Sequence, residues 1–84
     1  MTDKELAQAI LARLPDRVSQ HPMVVALSRG GEWLEVAIQA MIAVLSGEGP
    51  IDDPRLVREV VVRLPSDMQH LATPLMRLAG SIAS

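Results

Sequence analysis

The chain nearly repeats itself, and the repeat restricts what it can fold into. Asp3 to Pro15 reads DKELAQAILARLP, and Asp53 to Pro65 reads DPRLVREVVVRLP. At an offset of 50, five of thirteen positions are identical: Asp3/Asp53, Leu6/Leu56, Arg13/Arg63, Leu14/Leu64 and Pro15/Pro65. Ala7/Val57, Ile10/Val60 and Leu11/Val61 keep apolar character. A segment used twice predicts two related structural units rather than one site on a scaffold. In both copies the apolar residues recur at three- and four-residue intervals, the period of a helix with one buried face. Each copy ends in Arg-Leu-Pro. Arginine suits the negative C-terminal end of a helix, and proline drives the residue before it out of the α conformation.

The punctuation between the copies predicts further short helices. Thr2-Asp3-Lys4-Glu5 has the form of a capping box and starts a helix from about Asp3 to Arg13. Pro15 to His21 suits one or two turns, with Pro15 at the first helical position. Pro22 restarts the chain, and Met23 to Ser28 is a short apolar segment closed by Gly30-Gly31. Its length also suits a strand, but no second strand candidate stands beside it, so a short helix is expected. Glu32 to Ser46 is the longest predicted helix, stopped by Gly47 in a left-handed conformation. Asp53 caps the next helix, with Pro54 at its first position and Leu56, Val57, Val60, Val61 and Leu64 on its buried face. Arg55–Glu59 and Glu59–Arg63 are spaced for ion pairs on its solvent side. Ser66 reads as the N-cap of a stretch through Ala72, and Thr73-Pro74 as the start of another from Leu75 to Ile82. The alternative is one helix kinked at Pro74.

The expected architecture is therefore all-α: a compact bundle of five or six short helices forming one domain over residues 1–84. Quasi-repeat units over about 3–30 and 53–82 flank a central apolar helix. With no Phe, no Tyr and only Trp33 as an aromatic, the core falls to Leu, Val, Ile, Ala and Met. The central helix is unusual in being apolar nearly all round. Only Glu32, Glu35, Gln39 and Ser46 make a narrow polar stripe. A helix of that kind is either central or partly at an interface. So small a chain covers it with difficulty, which makes Trp33, Leu34, Ile38, Met41 and Leu45 the candidate interface residues.

Chemistry is poorly represented. There is no cysteine, hence no disulfide and no thiolate metal site. His21 and His70, with Asp16 and Asp67 upstream, lack the spacing that makes a helix a ligand platform, so no metal and no cofactor are expected. Size and helicity invite comparison with acyl carrier proteins, but their Asp-Ser-Leu motif is absent and Ser66-Asp67-Met68 stands instead. No nucleophile elbow or phosphate-binding glycine loop is present. Pro22 to Ser28, the Arg29–Gly31 turn and the helix from Glu32 outline a helix-turn-helix, but Glu32 and Glu35 would face phosphates. A net charge of −2 supplies no field for nucleic acid or an anionic membrane. Val36 to Leu45 is far shorter than the roughly 20 residues of a membrane span. Without an apolar signal core at the N-terminus, a cytoplasmic location is expected. The leading expectation is a non-enzymatic protein-interaction module, an adaptor, docking or regulatory subunit that self-associates or binds another protein. Its rival is a small helical nucleic-acid-binding regulator.

Overall fold

In the computed structural model, which describes residues 1–83, the chain forms six α-helices and one 3₁₀-helix. They are α1 (Asp3–Leu11), α2 (Asp16–Ser19), α3 (Pro22–Arg29), α4 (Trp33–Leu45), α5 (Pro54–Arg63), the 3₁₀-helix Ser66–Leu71, and α6 (Ala72–Ala83). No strand occurs among the described residues. Met23 to Ser28 is thus helical, as its lack of a pairing partner predicts.

The apolar character of α4 is explained by its position, because it touches every other α-helix. Val36, Ala37, Ile38, Ala40 and Met41 have no exposed surface at all. Each larger side chain among them contributes roughly 1.5–3 kcal/mol by leaving water. The neighbours close over α4 through small residues: Ala7 of α1, Ala37 and Ala40 of α4 itself, and Ala79 of α6 are all buried. Alanine at these contacts lets helix axes approach, and branched aliphatics then fill the space to interior density. A core of this kind needs no large aromatic.

The two repeated segments become α1 and α5, and they run antiparallel. Arg63 at the end of α5 donates to the Asp3 carboxylate at the start of α1, at 2.6 Å. Arg13, just past the end of α1, lies 3.7 Å from Asp53 and 3.9 Å from Asp52 at the start of α5. Each copy of the segment therefore offers its C-terminal arginine to the other copy's N-terminal aspartate. The equivalent apolar positions are buried in both: Leu6 with Leu56, Ala7 with Val57, Ile10 with Val60, Leu14 with Leu64. The prolines agree as well, Pro15 at φ −67°, ψ 158° and Pro65 at φ −67°, ψ 161°. Arg63 also reaches Glu59 and the Met1 carbonyl.

Several local expectations are corrected. Helix α1 ends at Leu11 rather than Arg13, because beyond the Ala12 N–H→Gln8 bond the chain tightens to Arg13 N–H→Ile10 and Leu14 N–H→Leu11 ahead of Pro15. The Arg13 guanidinium donates back to the Ala9 carbonyl and satisfies one end group. Pro15 stands at the N-cap of α2 and not within it. Ser66 is no cap either: Pro65 occupies that place and no side chain bonds there. Thr73 lies inside α6, which begins at Ala72. Pro74, lacking an N–H and crowding the carbonyl four residues back, disfavours α geometry upstream, and Ser66–Leu71 coils as 3₁₀ instead. Finally, Arg55 turns to its own cap residue Asp53 at 3.6 Å, so the Arg55–Glu59 pair does not form. The capping box at Thr2 and Glu5 and the Asp53 cap are both present.

Gly47 ends α4 with φ 81°, and the Glu48 and Gly47 amides close back on Ala43 and Val44. Two residues on, Gly49 lies against the first Arg-Leu-Pro turn. A Cβ there would fall 2.9 Å from Pro15 Cδ and 3.1 Å from a Leu14 methyl. The connection to α5 is thereby docked on the turn between α1 and α2.

Ile38→Ala should lower the unfolding free energy by about 2–5 kcal/mol, the range for a fully buried branched aliphatic. Leu45→Ala should cost about 1 kcal/mol or less, because Leu45 is 37% exposed. Urea unfolding of both variants checks this, and equal losses would contradict the placement of α4.

Candidate functional site

With α4 inside, the five residues expected at an interface separate. Ile38 and Met41 are fully buried within the single chain. Trp33 and Leu34 are half-buried against the core, and only Leu45 is exposed. The Lys4 ammonium sits 5.5 Å from the centre of the Trp33 ring, a cation–π contact that ties the start of α4 to α1. Leu34, Ile38, Met41 and Leu45 do share one side of α4, which is packed at Ile38 and Met41 and open only at its end, at Leu45.

The open side lies about a third of a turn round the helix. Gln39, Ile42, Ala43 and Ser46, spaced as a single helical stripe, form one wall of a half-open groove of about 220 Å³. Opposite stand α2 with Arg17 and Val18, the start of α3 with His21, Met23 and Val24, and Glu48 of the following loop. The groove is apolar below and polar at the rim. Val18 and Val24 are buried, Ile42 and Ala43 half-buried, and Met23 projects at the mouth, 51% exposed.

Local chemistry positions the rim. His21 is the N-cap of α3, its Nδ1 accepting from the Met23 amide at 3.2 Å. That role escaped sequence reasoning, which treats Ser, Thr, Asp and Asn as caps. Pro22 supplies the preset first helical position behind it. Arg17 donates through Nε and Nη2 to the Glu48 carbonyl, at 3.2 and 2.7 Å, and so anchors the loop. Neither the Arg17 guanidinium nor the Glu48 carboxylate is in an ion pair among the described residues.

Two broader depressions are less suited to recognition. One of about 400 Å³ runs between α1 and α5 and is lined by Met1, Ala9, Arg13, Asp53, Arg55, Leu56 and Glu59. Its central carboxylate is already engaged. Desolvation raises the Asp53 pKa, but the Arg55 amide and the charges of Arg55 and Arg13 outweigh it and hold the group below its ordinary value. The other, about 390 Å³, is a shallow hollow on α6 at Ala72, Thr73, Met76 and Arg77. His21 and His70 belong to no group of three or more potential metal ligands among the described residues. No described helix is long and apolar enough to cross a membrane. No protein-family model, curated protein or solved structure matches the chain.

The charges on Asp53 carry a pH dependence of definite sign. Its folded pKa lies below the unfolded value, so its contribution to stability is complete above about pH 4 and is lost as pH falls through the folded pKa. Asp53→Asn keeps the cap and removes the titration. Urea midpoints measured from neutral to strongly acidic pH should fall less steeply for this variant than for the parent. Parallel curves would show that the Asp53 charge is not held by Arg13 and Arg55.

Proposed function

We propose that this chain is a non-enzymatic protein-interaction module, a small adaptor, docking or regulatory subunit that associates with itself or with another protein. The observation that carries the reading is the groove between α2, α3 and α4. It combines an apolar floor with polar rim groups on a domain whose other large apolar side chains are mostly packed. Protein interfaces have that anatomy, an apolar centre that excludes water inside a polar edge. The partners that two rim groups already have support recognition over reaction. His21 is committed to capping α3 through Nδ1, and Arg17 to holding the Glu48 loop.

The cations also favour a protein partner over nucleic acid. Arg13, Arg55 and Arg63 are engaged with aspartates of the repeated helices, Arg17 with the Glu48 carbonyl and Lys4 with the Trp33 ring, which leaves Arg29, Arg58 and Arg77 scattered over α3, α5 and α6. A polyanion is held by a continuous basic stripe, not by separated charges.

The reading is tested with isotope-labelled protein, titrated separately with its unlabelled copy and with lysate from its source organism. Backbone amide signals of Arg17, Met23, Gln39, Ser46 and Glu48 should shift or broaden in at least one titration. Unchanged groove signals in both would contradict the proposal. Retention on nucleic acid that weakens steeply with salt would replace it.

A further inference from the structure

We infer that the partner seated in the α2–α3–α4 groove is a second copy of this chain, docked about a two-fold axis with Met23 of each copy inserted in the other's groove. The inference rests on the interaction reading above and gives it an occupant.

The face is complementary to itself in shape. It carries a knob and a hole side by side. Met23, 51% exposed, projects from the first turn of α3, and the apolar floor of Val18, Val24, Ile42 and Ala43 opens next to it. The groove's 220 Å³ exceeds the ~150 Å³ of a cavity that holds a benzene molecule, so it admits one unbranched side chain. Methionine, with three rotatable bonds and a polarizable sulfur, adapts readily to such a space. The other strongly exposed methionine outside the N-terminus, Met76, stands on a shallow hollow with no comparable floor.

The face is also complementary to itself in charge. Arg17 and Glu48 stand on one rim, and neither is in an ion pair within the chain. A two-fold axis passing between these two side chains brings Arg17 of each copy opposite Glu48 of the other. An isologous contact requires this: one patch that bears both halves of its own complement. A foreign protein would have to supply both a knob and a matching pair of charges. A second copy already has them.

Sedimentation velocity over a dilution series tests the inference, with circular dichroism confirming that each variant is folded. The parent should convert from monomer to dimer with concentration. Met23→Glu should weaken the dimer roughly tenfold or more, as removal of a central anchor does. A glutamate at this position suits the start of α3, so loss of the dimer will not reflect loss of the helix. Met76→Glu should leave the dimer unchanged. Arg17→Glu and Glu48→Arg should each weaken the homodimer by opposing like charges. Mixing these two variants should restore association, because every cross-copy pair is then of opposite sign. A dimer indifferent to Met23→Glu would overturn this groove as the contact while leaving the interaction reading intact. A parent that stays monomeric at all concentrations overturns the second copy as occupant. The interaction reading then depends on the lysate titration alone. Failure of the mixture to restore association would overturn the two-fold arrangement of the charges.

Discussion

A helix that is apolar on nearly every side has to be surrounded, and in this protein the surrounding of α4 organises the rest. With 84 residues there is no second layer to spare, and α1, α2, α3, α5 and α6 all lie against it. The demand for close approach from several directions explains why alanine sits at the contacts and why the core holds no phenylalanine or tyrosine. It also explains the short helices, since a long one would pass beyond α4 and leave its own apolar face exposed. The loops are made correspondingly tight. Gly47 turns the chain back in the left-handed region, and Gly49 settles against Pro15 and Leu14.

The repeat then has a physical meaning that its sequence only hints at. Two copies of one helical segment, laid antiparallel, place the C-terminal arginine of each beside the N-terminal aspartate of the other. The same two residues thus serve as both halves of a reciprocal latch, Arg63 with Asp3 and Arg13 with Asp53. Each charge also suits the helix end on which it stands. The latch is unequal. Arg63 makes a short charged hydrogen bond and adds Glu59 and the Met1 carbonyl, and this bond to Asp3 raises its pKa further. Arg13 makes longer contacts and shares Asp53 with Arg55. The asymmetry follows from the sequence around the aspartates. Asp53 is itself the cap of α5, whereas Thr2 caps α1 and leaves Asp3 free to receive Arg63.

Much of this fold was legible because local rules and burial agreed. The capping box at Thr2, the stop at Gly47 and the Asp53-Pro54 start all appear where the residues place them. Legibility failed where two local preferences competed. Ser66 and Thr73 are both good caps, but the constraint Pro74 imposes upstream decided the geometry and made neither a cap. Arg55 had two acidic neighbours within reach and took the nearer, Asp53. The candidate interface residues divide for a different reason. Hydrophobicity identified α4 as exceptional, but the apolar stripe through Ile38 and Met41 marks what is covered. The informative residues were the polar ones. Glu32, Glu35, Gln39 and Ser46 follow the side of α4 that its neighbours leave open, and Gln39 and Ser46 line the groove. Which helices form the opposite wall depends on contacts between segments distant in sequence, such as Arg17 with Glu48. No local pattern records them.

The whole arrangement depends on α4 being the interior of a single copy. Native-state hydrogen exchange of the amides from Ala37 to Met41 tests this most directly, measured at several protein concentrations. With α4 inside a single copy, these amides exchange only through global unfolding, with protection as great as any in the chain and unchanged on dilution. Protection of Ala37 to Met41 that disappears on dilution, while α1 and α5 remain protected, would contradict it.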